Sequence, residues 1–178
     1  MAAQLRQLWP RRALFYTPAS DIRKINKLAT LTGSNTPDFV ALDIEDGVAI
    51  TAKDAARQNI ISMYDSLRHN LKHTQVGIRV NSVSSGLLTE DLKLLPKLKT
   101  PPSCLLLPKV ESSLEAEEFL EKLEEIIKAA PWKEDVSTVP IPLVSFIESA
   151  IGLLNIRSSF QTLESNSLVN HECVVFGR

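Results

Sequence analysis

The 178-residue chain is long enough for one domain with a sizeable core, and its 44% hydrophobic content argues against a disordered protein. Its 20 basic and 21 acidic residues nearly cancel, to a formal net charge of −1. This balance predicts no nucleic-acid or membrane partner, and no apolar run approaches the roughly 20 residues of a membrane span. The two cysteines, Cys104 and Cys173, lie within apolar runs and are predicted to be buried, reduced thiols.

The amino-terminal segment is basic: residues 1–12 hold three arginines, and the first acidic residue is Asp21. Such a segment resembles a short organelle-targeting presequence, although it contains no serine, and an irregular basic tail is the alternative. We therefore expect residues 1–11 to be a tail or a short targeting segment, and residues 12–178 to form the folded domain.

Short apolar runs alternate along the chain with longer segments of helical periodicity, which predicts repeated β–α units. The predicted strands are residues 13–17, 39–44, 76–81, 104–108, 141–147 and 173–177. The predicted helices are one from Asp21 to a C-cap at Gly33, one capped by Thr51, a short one over 87–95, one opened by a Ser112–Glu115 capping box, and one from Ser149 to about Ser158.

Several predicted strands are nearly continuous apolar runs, which is typical of parallel strands buried on both faces. Repeated β–α units form either an open doubly wound sheet or a (β/α)₈ barrel. The first strand is followed by PASD rather than a glycine-rich phosphate loop, which disfavours a doubly wound nucleotide-binding domain. We therefore expect an α/β fold that is an incomplete TIM barrel, with about six of its eight β–α units present.

Polar residues gather at the predicted carboxyl ends of the strands, where TIM barrels carry their active sites. They are Tyr16, Asp43, Glu45, Asp46, Arg79, Asn81, Lys109, Glu111 and Glu148. Carboxylate oxygens suit Mg²⁺, and an arginine suits a forked contact to a substrate carboxylate or carbonyl. Together these residues predict metal-assisted chemistry on an anionic keto or hydroxy acid.

Each of these features also has a simpler interpretation. DIEDGV fits an ordinary acidic turn closed by Gly47, Lys109 and Glu111 fit a surface ion pair, and Glu148 fits an acid at the start of a helix. Arg79 is harder to explain in this way, because a charge within an apolar strand needs a partner or a ligand. The three histidines, His69, His73 and His171, are interpreted as solvated.

Six motifs occur in an order that resembles a known family. They are RRALFYTPASDIRKINK, VALDIEDGVA, IRVNSVSSGL, LLLPKVES, FIESAIGLLN and VVFG. They resemble the citrate-lyase beta-subunit-like proteins of the HpcH/HpaI aldolase and citrate lyase superfamily, and two of the motifs look most like those of animal mitochondrial members. Six ordered motifs form a far more specific signal than one short motif.

The resemblance implies a mitochondrial TIM-barrel lyase that is a homotrimer in its full-length form, requires Mg²⁺ and acts on a CoA thioester. The implied reaction cleaves (3S)-citramalyl-CoA to acetyl-CoA and pyruvate, with malate-synthase-type side activity. By motif position, the residues implied to bind the substrate are Tyr16, Arg23, Lys27 and Arg79. Glu148 is implied to be a metal ligand. The residues expected from their strand-end positions to line the site are Glu45, Asp46, Asn81 and Lys109.

The sequence departs from the family pattern after the last motif. The family continues VVFG with an acid that is its second metal ligand, whereas this sequence reads VVFGR. The resemblance therefore implies that this ligand, the catalytic aspartate and the last two β–α units lie beyond residue 178. We expect the chain to be an inactive or impaired truncated form of the lyase, and the alternative is a stable non-catalytic fragment that serves as a binding or regulatory module.

Overall fold

The computed structural model describes residues 10–31 and 36–177. Within these ranges, six strands form one sheet: β1 (Leu14–Pro18), β2 (Phe39–Asp43), β3 (Gln75–Arg79), β4 (Leu105–Leu107), β5 (Ile141–Ile147) and β6 (Val169–Phe176). The strands lie in chain order and every neighbouring pair is parallel. Sequential parallel order is that of a barrel wall, whereas a doubly wound sheet reverses its strand order. The predicted α/β fold of an incomplete TIM barrel is confirmed, with six strands and the helices between them in the described residues.

Helices connect the strands. They are α1 (Ile22–Leu28), α2 (Lys53–Asn70), α3 (Leu88–Leu92), α4 (Ser113–Ile127), α5 (Lys133–Thr138), α6 (Ala150–Leu154) and α7 (Ile156–Glu164). Short 3₁₀ turns lie at Ile50–Ala52, Val83–Ser85 and Leu95–Lys97. None of the helices in the described ranges combines the length and hydropathy that crossing a bilayer requires.

The helix ends test the local predictions. Ser112 caps α4 as predicted, because its Oγ accepts the Glu115 N–H at 3.2 Å. Thr51 was the wrong cap for α2: it lies within a 3₁₀ turn, and no described side chain caps that helix. The single helix predicted from residue 149 is two helices, α6 and α7, which meet at Asn155. Gly33, predicted as a C-cap, lies outside the described residues, and α1 ends earlier, at Leu28.

The sheet carries an apolar layer on each face. One layer packs strand residues such as Val40 and Ile78 against the helices. The opposite, inner face carries a smaller cluster, formed by Phe39, Ala41, Cys104, Leu106, Val144 and Phe146. Gly77 leaves room for this inner cluster, because a Cβ there would lie 2.5 Å from Leu106 Cδ1 and 2.6 Å from Phe39 Cζ. Burial on both faces explains the continuous apolar runs of the strands.

Two arginines cover the amino end of the sheet. Arg11 donates to Gln75 Oε1 at 2.9 and 3.1 Å, and it pairs with Glu172. Arg12 binds Asp38 through Nη2 and Nε at 2.7 and 3.1 Å. Arg11, which we expected in the tail, therefore packs against β3 and β6. The proposed tail or targeting segment otherwise falls mainly on residues 1–9, which lie outside the described residues.

The prediction for His171 was wrong. It lies within β6 rather than in a solvated loop, its Nε2 is 2.8 Å from Ser145 Oγ, and its ring meets that of Phe160 edge to face at 4.6 Å. Burial lowers the pKa of His171. His69 and His73 are exposed, as predicted.

Candidate active site

A forked ion pair joins the carboxyl ends of β2 and β3. Asp43 and Arg79 are direct neighbours in the parallel register of these strands. Arg79 donates from Nε and Nη2 to the two oxygens of Asp43 at 2.7 and 2.8 Å. Both side chains are largely buried, with 3% of Asp43 and 11% of Arg79 exposed. Burial works against the charge of Arg79, but the hydrogen bonds and negative charge of Asp43, together with the charge of Glu45, raise the pKa of the guanidinium overall.

Glu45 and Asp46 extend this pair into a cluster with Lys109. Arg79 Nη1 lies 3.1 Å from Glu45 Oε2, and Lys109 Nζ lies 2.6 Å from Glu45 Oε1. Lys109 also donates to both oxygens of Asp46 at 3.0 Å. Lys109 thus joins the end of β4 to the acidic loop after β2. It does not form the simpler surface pair with Glu111. We call Asp43, Glu45, Asp46, Arg79 and Lys109 the charged cluster.

The backbone of Lys109 is unusual. Among the described residues, it is the one non-glycine residue with a positive φ, of 53°. An L-residue in this left-handed conformation costs about 1–2 kcal/mol, so other contacts must hold it there. The bonds to Glu45 and Asp46 are such contacts, and they place the ammonium group across the edge of the sheet.

Glu148 follows β5 and has a half-buried carboxylate. None of the described residues donates a hydrogen bond to its buried Oε2. Burial first, and then the negative charge of Glu45, raise the pKa of Glu148, while Lys109 and Arg79 act in the opposite direction. The simpler interpretation as a helix cap is wrong, because Ser149 Oγ accepts the Gly152 N–H at 3.1 Å and caps α6. Oε2 of Glu148 thus lacks a donor among the described residues.

Tyr16 completes the inner wall of the site. The guanidinium carbon of Arg79 lies 4.9 Å from the centre of the Tyr16 ring, which is the geometry of a cation–π contact. Burial raises the pKa of the Tyr16 phenol above its ordinary value. The structure therefore brings Tyr16 and Arg79, both predicted to bind substrate, into direct contact.

The described residues fit a cation beside Glu148. Its free carboxylate oxygen is buried near other negative charges, and a cation there would satisfy it. Within the described ranges, no three His, Cys, Asp or Glu side chains converge as a ready metal site. Mg²⁺ commonly takes one or two protein carboxylates and fills its other positions with water and substrate oxygens. A single protein ligand from Glu148 is compatible with this coordination.

Three predicted site residues are not bonded to the side chains of the charged cluster in the described structure. Asn81 is buried and donates from Nδ2 to Asp91 Oδ2 at 2.6 Å and to the Ile44 backbone oxygen at 3.4 Å, so it links the loop after β3 to the end of β2. Arg23 and Lys27 are exposed on α1, and Lys27 lines an apolar groove of about 680 Å³ beside β1. In the described structure neither cation contacts the charged cluster. Their assignment to a CoA thioester stays a prediction.

Two residues that support the site were not predicted in these roles. Asp43 was noted as one acid among several, not as the partner of Arg79. Lys53 is buried and donates from Nζ to the backbone oxygens of Ile44 and Glu45 at 2.7 and 3.0 Å. Burial lowers the pKa of Lys53. A lysine at the start of a helix carries no sequence signal for this role, because such lysines are usually solvated.

The fold and the charged cluster together define an α/β-barrel protein with its candidate site at the carboxyl ends of the strands, where such barrels carry their active sites. The chain belongs to the HpcH/HpaI aldolase/citrate lyase family, whose profile matches residues 12–176. The family resemblance of the six motifs is thereby confirmed.

The chain is similar to a curated relative in sequence and to two solved structures in fold. Human mitochondrial citramalyl-CoA lyase is 39% identical over 171 residues, which are 94% of this chain and 47% of that protein. A citrate lyase from Burkholderia xenovorans LB400 has a TM-score of 0.70 at 22% identity, covering 97% of this chain and 50% of the other. Protein CitE from Mycobacterium tuberculosis, in complex with magnesium, acetoacetate and coenzyme A, has a TM-score of 0.56 at 22% identity, covering 84% and 45%. The chain spans about half the length of the curated relatives it matches.

Proposed function

We propose that the chain forms the substrate-holding part of the active site of a Mg²⁺-dependent carbon–carbon lyase. The proposed substrate is a CoA thioester such as (3S)-citramalyl-CoA, cleaved to acetyl-CoA and pyruvate. One observation carries this proposal: the largely buried Arg79 is fixed in the charged cluster, and the unpartnered carboxylate of Glu148 lies within its electrostatic reach. The name of the human relative supports the substrate, and the ligands of the CitE complex support Mg²⁺ and CoA.

Arg79 would hold the keto-acid part of the substrate. Asp43 occupies its Nε edge, so the substrate carboxylate or carbonyl would meet the edge that carries Nη1. This changes the expected forked contact, because Asp43 takes one edge of the guanidinium, and a ligand on the other edge would share Nη1 with Glu45. Since the guanidinium is already oriented and largely buried, its charge would act on the substrate with little reorganisation.

The other residues would set the charge around that substrate. Lys109 offsets Glu45 and Asp46, while Tyr16 covers one face of Arg79. Glu148 would hold Mg²⁺, which when bound would polarise a substrate oxygen as a Lewis acid. The side chains of this chain thereby bind, orient and shield the anionic end of the substrate.

The proposed localisation rests on the names of the relatives, and the proposed assembly rests on the family resemblance. The mitochondrial relatives support a mitochondrial location for this chain. The homotrimer implied by the family resemblance stays a prediction, which sedimentation analysis of the full-length protein would test.

The test is binding of pyruvate to the purified chain with and without Mg²⁺, followed by ligand-observed NMR. We expect Mg²⁺ to promote binding, Arg79→Ala to abolish it, and the control Arg12→Ala to retain it. Absent binding, or binding that survives Arg79→Ala, would contradict the proposed function. Parallel assays of pyruvate release from (3S)-citramalyl-CoA, and of acetyl-CoA condensation with glyoxylate, separate a working lyase from a module that only binds.

A further inference from the structure

We propose that Asp43 is a positioning residue, which orients Arg79 for its substrate and is itself held in place by Gly47. Asp43, the first aspartate of the acidic run DIEDG, then orients an arginine, rather than binding a metal or forming an ordinary turn. The inference rests on the proposed function only in the assumption that Arg79 meets the substrate.

The hydrogen bonds of Asp43 exclude most other roles for it. Oδ1 accepts from Arg79 Nε at 2.7 Å and from the Glu45 N–H at 2.8 Å. Oδ2 accepts from Arg79 Nη2 at 2.8 Å and from the Gly47 N–H at 3.0 Å. A carboxylate offers about four lone-pair directions, so these bonds use its acceptor capacity. With those positions filled and its side chain buried, Asp43 is poorly placed to bind a metal or to accept a substrate proton.

The two backbone bonds fix the plane of the carboxylate, and that plane fixes the guanidinium. A forked arginine–carboxylate pair is planar, so Arg79 cannot rotate without breaking both of its bonds. Tyr16 limits motion out of the plane, because its ring lies 4.9 Å from the guanidinium carbon. Asp43 thereby directs the edge of Arg79 with Nη1 toward the charged cluster, where Glu45 lies at 3.1 Å.

Glycine is required at position 47 because a side chain there would collide with Asp43, and not because of the backbone conformation. A Cβ at this position would lie 2.4 Å from Asp43 Oδ2 and 3.4 Å from its Cγ. Alanine would therefore push the carboxylate or the loop away while leaving every charge unchanged. The spacing of Asp43 and Gly47 thus helps to hold the carboxylate in the position from which it orients Arg79.

The chain contains a matched control for this test. Asp38 also binds an arginine through two nitrogens, those of Arg12, and also accepts two backbone N–H groups, those of Arg12 and Ala13. It lies at the amino end of β2, away from the site. Asp38→Asn therefore removes the same kind of charge from the same kind of fork without touching Arg79.

The experiment uses the full 178-residue chain with arginine labelled by ¹⁵N at Nε. The Arg79 Nε–H signal is assigned by its loss in Arg79→Lys. Because hydrogen bonds to charged groups are strong, we expect Asp43→Asn to shift that signal and speed its exchange with water at least about tenfold, and to weaken Mg²⁺-dependent pyruvate binding about tenfold. Asp38→Asn should change neither quantity. An unchanged Arg79 signal in folded Asp43→Asn would overturn the proposal, as would the same change in Asp38→Asn.

Gly47→Ala keeps the test decisive where Asp43→Asn does not fold. We expect it to shift the Arg79 signal in the same direction with all charges retained, and an unmoved signal would overturn the role of Gly47. The readout also separates this inference from the proposed function. Wild-type chain that binds no pyruvate contradicts the proposed function, while the effect of Asp43 on the Arg79 signal still decides the positioning role.

Discussion

Strand β2 is flanked by two aspartate–arginine forks, and their surroundings differ. At the amino end Arg12 is 83% exposed, and its bond to Asp38 holds the pKa of that carboxyl to about 2. At the carboxyl end Arg79 is only 11% exposed, and Glu45 and Glu148 add negative charge around it. The first fork satisfies its own charges, whereas the second belongs to a region with an unpartnered carboxylate oxygen and a strained lysine. The comparison supports the proposal that the amino end of the strand stabilises the barrel and that the carboxyl end binds a ligand.

The largest loss of stability should come from removing Arg79 from its fork, and removing Arg12 from the other fork gives the comparison. Arg79→Ala leaves the buried carboxylate of Asp43 uncompensated, which costs about 3–5 kcal/mol of unfolding free energy. Arg12→Ala should cost clearly less, because the arginine it removes is exposed to water. Urea denaturation of both variants measures the difference, and equal losses would contradict the contrast between the two ends.

A second effect concerns the pH dependence of stability. The folded pKa of Glu148 is raised, so the folded state binds its proton more tightly than the unfolded state does. The resulting stability is present below the unfolded pKa and is lost as pH rises through the folded pKa. Above this window, Glu148→Gln should be more stable than wild type, with a thermal midpoint higher by about 2–4 °C per kcal/mol gained. Thermal unfolding at several pH values measures this gap.

Magnesium provides the control for Glu148. Mg²⁺ should raise the thermal midpoint of wild-type chain and leave that of Glu148→Gln unchanged, since only a bound ion stabilises the folded state. Equal stabilisation of both proteins by Mg²⁺ would show that the ion binds elsewhere. Without Mg²⁺ at neutral pH, a lower thermal midpoint for wild type than for Glu148→Gln would show that the ionised Glu148 destabilises the fold.

The smallest effect should appear at Lys109. Both Lys109→Gly and Lys109→Ala remove its ion pairs, but glycine adopts a positive φ without strain, so we expect the glycine variant to be about 1 kcal/mol more stable. Lys122, within helix α4, is the control, since glycine there should be less stable than alanine by about 1 kcal/mol. Urea denaturation of the four variants tests the reversal, and the same order at both positions would remove the case for strain at Lys109.

The polar strand ends were predictable because β–α repeats place them at one edge of the sheet. Arg79 and Glu148 could be singled out since each breaks or directly follows an apolar run. The partner of Arg79 could not be chosen among several acids, because that choice depends on the register of β2 against β3. His171 was misjudged for a similar reason: its partner Ser145 lies in another strand, 26 residues away.

The sequence by itself determined the order of the strands, the barrel class and the family, because apolar periodicity and ordered motifs are local properties of the chain. Only the tertiary structure decided which charges satisfy one another. It paired Asp43 with Arg79, turned Lys109 toward Glu45 and left one oxygen of Glu148 without a described donor. The physical reason is that hydrogen bonds and ion pairs act over a few ångströms, so their partners are set by strand register and burial rather than by residue type.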